Sequence, residues 1–330
     1  MSKHVFGPVP SRRLGQSLGI DPIPLKTCNW NCIYCQLGRT RPVVSLRKDY
    51  IAPEIILEQA ARFLDEYDHT AIDWVTFVGS GEPLLNASLG QLIREVQKLS
   101  DIPVAVITNG TLLHIPSVRQ ELLPANAVLP SLDAGSADLY RKINRPHPHV
   151  PFDLHLQGLI DFSRIYKGKL WLEVMLMQGV NDGEEALTAI ADALREIKPD
   201  CIHVNIPSRP PAETWVQPAD EDGVLRAMAI LGEITKVVHP IEGKYERGSA
   251  NNILEAILTI IQRHPMREDE VKRTLARWEP EEPLRLFDQI AASEQIQIIE
   301  RHGVRFYCST DSFFPDKTNS RLRTQIFTED

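Results

Sequence analysis

From Ser17 to about residue 238, short uninterrupted apolar runs alternate with amphipathic helical segments, and this alternation limits the fold of the 330-residue chain more than any other feature. The apolar runs are 17–23, 72–78, 104–108, 127–132, 170–177 and 202–206. The segments 53–67, 89–99, 118–123, about 151–166 and 183–197 lie between them; in the first, Ile56, Ala60, Phe63 and Leu64 fall at helical spacing. Strands that are apolar throughout are buried on both faces, so six strand–helix repeats predict a parallel sheet covered by helices. Six units fall short of the eight that close a full barrel. On such sheets, functional groups belong at the C-terminal ends of the strands.

After residue 240 the pattern changes. The stretch 241–252 is polar and contains glycine, which predicts a linker. Helical patterns over 253–263, 267–278 and 283–293 follow, then two strands, 296–301 and 304–308, around Arg301-His302-Gly303. Helix–helix–helix–hairpin is the layout of a winged-helix domain, expected over 253–310, and the polar segment 311–330 reads as a tail. From Ile253 to Asp330 there are eleven Lys and Arg against fourteen Asp and Glu. A DNA-reading winged helix should be basic on its recognition helix, so a covering or docking role is expected and DNA binding is not. The whole chain carries a net charge of −8, which argues against a broad nucleic-acid surface. No apolar run approaches the roughly 20 residues of a membrane span, and the N-terminal 13 residues hold no apolar signal core. A cytoplasmic protein is expected.

Three cysteines share the loop that follows the first strand: Cys28, Cys32 and Cys35, spaced C-x3-C-x2-C. Three thiolates on a tight loop can hold three irons of a [4Fe–4S] cube. The fourth iron is then open to a small molecule. Zinc would want a fourth ligand, usually in two spaced pairs, and the other cysteines, Cys201 and Cys308, stand alone in apolar runs as small buried hydrophobes. A disulfide framework suits a short secreted chain instead.

Other polar groups punctuate the strand ends. Gly79-Ser80-Gly81-Glu82-Pro83 ends the second strand, where glycines allow close backbone approach and backbone groups can meet a ligand's ammonium. The alternative is a plain strand-to-helix turn. Asn109 follows the third strand, and Ser131 and Asp133 the fourth; small polar groups there suit hydroxyls or a carboxylate, or else a turn and a helix cap. Glu173 interrupts an apolar strand, so its carboxylate faces either solvent at a barrel edge or the lumen; the lumen is the expectation for a buried barrel strand, and the carboxylate then needs a partner. Arg12 and Arg13 precede the first strand, Arg141 and Arg145 follow Asp133, and Arg209 follows the last strand. Arginine suits phosphate or carboxylate, so these five are candidate substrate contacts, or otherwise ordinary solvated loops. Lys26, beside the cysteine loop, has the same two readings.

The segments PSRRLGQSLGI, KTCNWNCIYCQLG, SLDAG, NRPHP and EVMLMQGVND together resemble the radical S-adenosylmethionine (radical SAM) superfamily, and within it a group related to the wyosine-base synthases of transfer RNA. The resemblance covers about residues 4–215, with a winged-helix-like tail as in some members. It implies a partial (β/α)6 barrel over residues 1–240, an α/β fold with a small C-terminal α+β domain. It implies a [4Fe–4S] cluster on Cys28, Cys32 and Cys35, and S-adenosylmethionine on the open iron. Its contacts would include Gly79, Ser80, Gly81 and Glu82 at the amino group, and Asn109, Ser131, Asp133 and Glu173 at neighbouring strand ends. Tyr34 and Asn205 would lie near the adenine. One electron would cleave the sulfonium to a 5′-deoxyadenosyl radical that abstracts hydrogen from a tRNA base, a peptide or a phosphorylated metabolite. The resemblance also implies an electron donor such as flavodoxin or ferredoxin. Wyosine synthases carry a second cluster, for which this chain has no cysteines. Two other readings stand beside the enzyme: an activase that installs a radical on a partner protein, and an iron–sulfur redox regulator with a winged helix.

Overall fold

The structure, a computed structural model, describes residues 4–67, 69–238, 245, 247 and 252–315. Its main sheet has eight strands that neighbour one another in chain order: β1 (Val5–Ser11), β2 (Gly15–Ile20), β3 (Trp74–Phe77), β4 (Val104–Thr108), β5 (Ala127–Pro130), β6 (Lys169–Met175), β7 (Cys201–Asn205) and β8 (Thr235–Val238). β1 is antiparallel to β2, and β2 through β8 are parallel. The helices are α1 (Pro53–Glu66), α2 (Leu89–Leu99), α3 (Pro116–Leu122), α4 (Ala137–Ile143), α5 (Phe152–Ile165), α6 (Glu184–Ile197) and α7 (Glu221–Leu231). The sheet curls into a half-barrel, the expected partial TIM-type fold with one more parallel strand than the six expected and an antiparallel strand on the other edge. Prolines at positions 8 and 10 hide β1 in the sequence; proline is confined to edge strands and irregularities, and β1 is an edge strand whose register shifts between Phe6 and Val9.

Alternation along the strands separates two apolar layers. Leu18, Ile20, Val75, Phe77, Val104, Val106, Val128, Leu172, Val174, Ile202 and Val204 pack outward against the helices in one large core. Helix α1 starts on Pro53, whose fixed φ suits a first turn, and contributes Ile56, Ala60, Phe63 and Leu64 to that core. Inside the half-barrel a second, smaller cluster joins Leu14 to Ala105, Ala127 and Leu129, with Trp74, Ile107 and Trp171 beside it. Small alanines on β4 and β5 leave room for Leu14, which sits in the β1–β2 turn and is 2% exposed. Burying such a leucine contributes about 1.5–3 kcal/mol. The turn Arg12-Arg13-Leu14 therefore forms part of the barrel floor.

The C-terminal unit comprises α8 (Ile253–Ile261), β9 (Met266–Arg267), α9 (Glu268–Trp278), α10 (Pro283–Ala291), β10 (Ile296–Arg301) and β11 (Val304–Ser309). Its antiparallel sheet runs β10-β11-β9. This is the expected three helices and hairpin with one short strand added. Its own core holds Ile257, Ile261, Met266, Val271, Leu275, Ile290 and Tyr307, with Val9 of β1 packed against it. The expected linker 241–252 lies almost wholly outside the described residues, as does the expected tail from residue 316 on; 311–315 are ordered against the barrel through Phe313.

Candidate active site

The cysteine loop leaves the end of β2 and is seated on the turn that ends β3. The N–H of Lys26 donates to the Ser80 carbonyl at 2.7 Å, and the N–H of Glu82 to the Thr27 carbonyl at 2.9 Å. At Gly81 a β-carbon would lie 1.8 Å from the Thr27 carbonyl oxygen, so only glycine permits this approach. The Ser80 hydroxyl donates to Asp21 at 2.6 Å. The Glu82 carboxylate accepts from the Leu84 N–H at 2.9 Å, the Thr108 hydroxyl at 2.5 Å and the Asn109 N–H at 2.6 Å. The side chains of Ser80 and Glu82 thus tie β2, β3 and β4 together. Burial outweighs these three donors and pushes the Glu82 carboxyl up to about 7.

On its other side the loop is held by amides. Asn109 Nδ2 donates to Asn29 Oδ1 at 2.6 Å, and Asn29 Nδ2 to the Thr111 hydroxyl at 2.7 Å. Tyr34 donates to Asp133 Oδ2, which also accepts from Asn144 Nδ2 at 2.7 Å, while Asp133 Oδ1 accepts from the Met175 N–H at 2.8 Å. Asp133 does not cap α4; Ser136 does, accepting from the Leu139 N–H. Burial pushes the Asp133 carboxyl up to about 6 against these hydrogen bonds. Beyond Cys35, the Arg39 guanidinium grips Glu213 in a bidentate pair at 2.8 and 2.7 Å. Arg145 bonds the same carboxylate. Burial alone would raise Glu213, but these two arginines hold it below the usual carboxylate range.

Four donors approach the cysteine sulfurs. The Trp30 N–H lies 3.4 Å and Asn109 Nδ2 3.9 Å from Cys28 Sγ; Asn144 Nδ2 lies 3.7 Å from Cys32 Sγ; Lys26 Nζ lies 3.2 Å from Cys35 Sγ. Burial, and then the nearby Glu82 carboxylate, push the Cys28 thiol up to about 12. Burial, with Cys28 and Asp133 close by, lifts Cys32 well above the ordinary thiol range. A bound cation inverts this, because a coordinating thiol is deprotonated outright. Among the described residues no three His, Cys, Asp or Glu side chains converge as they would around one ion. A cube spreads three thiolates over three different irons, and three thiols each approached by a hydrogen-bond donor fit a sulfur-rich anionic cluster.

The lumen carries the remaining candidates. Glu173 and Asn205 occupy lumen-facing positions, as the polar interruption of an apolar strand predicts. The partner of Glu173 is Arg13, whose Nη1 lies 2.7 Å from Glu173 Oε1 and donates to Asn205 Oδ1 at 3.3 Å. Ser131 is half-buried just past β5, bridged to Glu173 in the sheet. The five arginines divide. Arg141 is exposed on α4 and pairs with Asp138, three residues away, so it stands apart from the lumen. Arg145 belongs to the Glu213 network. Arg209 forms a bidentate pair with Glu270 of α9 and meets His264 Nε2 at 2.9 Å. Arg13 reaches the lumen through Glu173 and Asn205, and Arg12, next to it in the turn, feels the charges of Arg13, Glu173 and Arg209. Asn29, Thr111, Asn144, Arg39 and Glu213 were not foreseen. Asn144 lies in the NRPHP segment, Asn29 in the cysteine loop and Thr111 at the end of the third strand, so their places carried a signal; Arg39 and Glu213 carry none without the fold.

Residues 23–194, just over half of the chain, match the Radical SAM superfamily. The chain belongs to the radical SAM superfamily. It is 38% identical over 274 residues to the UPF0026 protein MJ1312 of Methanocaldococcus jannaschii, across 82% of this chain and 85% of that one, and so belongs with the UPF0026 proteins too. A Brachyspira hyodysenteriae protein described as GTPase Obg is 48% identical over 204 residues; the match takes in 62% of this chain and spans only 30% of that relative's length. Among solved structures, TYW1 with a lysine-pyruvate adduct bound superposes with a TM-score of 0.45 at 17% identity, over 89% of this chain and 80% of that one. Radical SAM enzymes use a [4Fe–4S] cluster and S-adenosylmethionine, and this chain is a radical SAM enzyme with those cofactors. No helix among the described residues is long and apolar enough to cross a membrane.

Proposed function

We propose that the enzyme abstracts hydrogen from a substrate held in the half-barrel lumen, with Cys28, Cys32 and Cys35 as the cluster ligands. The observation that carries this reading is the ring of donors around the three sulfurs, from Lys26, Trp30, Asn109 and Asn144, at the C-terminal end of the parallel strands. When bound, the cluster and S-adenosylmethionine supply a 5′-deoxyadenosyl radical. The chain's own residues do the holding. Glu82 and Asn109 fix the near side of the cysteine loop, and Tyr34, Asp133 and Asn144 fix the far side. Gly79 and Gly81 let the loop approach the strand ends, where Gly79, Ser80, Gly81, Glu82, Asn109, Ser131, Asp133, Glu173 and Asn205, with Tyr34 of the loop, are the candidate contacts for S-adenosylmethionine. The winged-helix-like unit acts as a cover: Gln36 Nε2 donates to the Arg263 carbonyl at 2.9 Å and the Arg39 N–H to the Phe313 carbonyl at 2.8 Å, so it clamps the exit of the cysteine loop. An electron donor such as flavodoxin or ferredoxin is the expected partner in a cytoplasmic setting.

The test is anaerobic reconstitution with iron and sulfide, then dithionite and S-adenosylmethionine, with chromatography for 5′-deoxyadenosine. Product that forms in the wild type and vanishes in Cys32→Ala supports the reading. A protein that holds a full cluster yet forms none refutes it.

A further inference from the structure

We propose that Arg12 and Arg13, at the tip of the β1–β2 turn, form a binding site for an oxyanion group of the substrate, a phosphate or a carboxylate. This rests on the reading above, that a substrate occupies the lumen, and adds the chemistry by which the lumen would recognise it.

The argument is one of charge and unmet hydrogen bonds. The guanidiniums of Arg13 and Arg209 both lie close enough to Arg12 to act on its charge. Two carboxylates answer them: Glu173 lies 2.7 Å from Arg13, and Glu270 is taken by Arg209 in its bidentate pair. Arg12 makes no ion pair among the described residues, and its Nη1 is buried without a hydrogen-bond partner. Arg13 Nε is buried and unpartnered as well, and so is Nδ1 of His203, the residue that pairs with Glu173 across β6 and β7. Burial first, then Arg13, lowers the Arg12 guanidinium to about 10, which leaves it charged at neutral pH. Glu173 acts on Arg12 from a distance and not as an ion pair, and a largely buried guanidinium without a paired carboxylate is unfavourable. Buried polar groups in native proteins are otherwise almost always satisfied. Guanidinium donors meet phosphate or carboxylate oxygens in a fixed fork, which an ammonium does not. An arriving oxyanion would neutralise the surplus charge and satisfy the free N–H groups together. The Glu173 carboxylate beside Arg13 sets the orientation, since an anion is repelled from that side and drawn toward Arg12.

The experiment is thermal unfolding of the full chain at fixed ionic strength, with chloride replaced stepwise by inorganic phosphate or by acetate. The wild type and Arg141→Met should show a saturable rise in melting temperature with at least one of the two anions. Which anion acts distinguishes a phosphate-bearing substrate from a carboxylate. Arg12→Met should bind that anion roughly 10- to 100-fold more weakly, the effect of losing a charge-assisted hydrogen bond, and Arg12→Lys should recover part of the loss. In chloride alone Arg12→Met should melt no lower than the wild type, because it removes a guanidinium that makes no ion pair among the described residues; Arg12→Gln serves if the methionine variant does not fold. No anion-dependent rise, or an equal rise in Arg12→Met, overturns the proposal. 5′-Deoxyadenosine formation by the wild type is measured in parallel. If it forms while the anions do nothing, only the oxyanion site falls; if it does not form, the reading beneath it falls.

Discussion

The hydroxyl of Tyr34, in the cysteine loop, donates to Oδ2 of Asp133, just beyond β5, at 2.5 Å. Through the same carboxylate the loop is linked to Asn144 at the end of α4 and to the backbone of Met175 at the end of β6. Asn144 in turn faces Cys32 Sγ. One buried acid therefore joins the loop that carries the thiols to two other segments of the barrel rim.

Tyr34→Phe removes one of three donors to that carboxylate and changes little else, since the ring stays packed against the apolar cluster that holds Trp30, Ile33 and Tyr140. A hydrogen bond to a charged group is worth about 1.5–3 kcal/mol. Urea unfolding of Tyr34→Phe should show a lower midpoint with an unchanged slope. An unchanged midpoint would mean that Asp133 is satisfied without the loop.

Glu82 and Asp133 set a pH dependence of known sign. Burial raises both, Glu82 to about 7 and Asp133 to about 6, so each binds its proton more tightly in the folded chain than in the unfolded one. The unfolded chain ionises first as pH rises, and stability contributed by these two acids falls between about pH 4 and pH 7. It is fully present below that window and lost above it. Urea midpoints of the cluster-free protein should decline across this range, and Glu82→Gln should flatten part of the decline. A midpoint that climbs over the same interval contradicts the assignment.

Much of the site was legible because its signals are local. The three cysteines lie within eight residues, and Glu173 stands out as a carboxylate in an apolar strand, expected in the lumen over a barrel edge and there in need of a partner. The partner could not be read, because Arg13 lies on a turn far away in the chain and only closure of the sheet brings it within 2.7 Å. Asn144 reaches Cys32 across 112 residues for the same reason. The bonds of Glu82 to Thr108 and Asn109 could not be read, because they depend on β4 ending beside β3. The strands and α-helices that escaped prediction are β1, broken by prolines; α4, seven residues long; α7, eleven residues with a glycine in its first turn; β8, four residues at the edge; and the two-residue β9.

Gly81→Ala should cost the cluster more than the fold. The added methyl would meet the Thr27 backbone carbonyl at 1.8 Å, and backbone cannot yield as a side-chain end can. The segment that must shift leads directly to Cys28. Iron and sulfide per chain after reconstitution should drop sharply in Gly81→Ala. Gly183→Ala, whose methyl would meet nothing within 4 Å, should reconstitute as the wild type does. Equal iron content in the two variants would show that the close approach at Gly81 is dispensable.

Lys26 makes the last prediction. Its ammonium lies 3.2 Å from Cys35 Sγ and 2.7 Å from the Gly38 carbonyl, and its backbone takes the left-handed region at φ 62°, which aims the side chain across the loop. Reduction adds negative charge to a cluster, and charge and hydrogen bonds at its sulfurs tune the potential. A cation at Cys35 therefore favours the reduced form. Lys26→Met preserves much of the stem while deleting the charge, so the reconstituted variant should have a more negative midpoint potential in a redox titration followed by electron paramagnetic resonance. Circular dichroism of the cluster-free protein separates this from misfolding. An unchanged potential with intact fold would confine Lys26 to its bond with Gly38, and the poise of the cluster would have to be traced to the two asparagines instead.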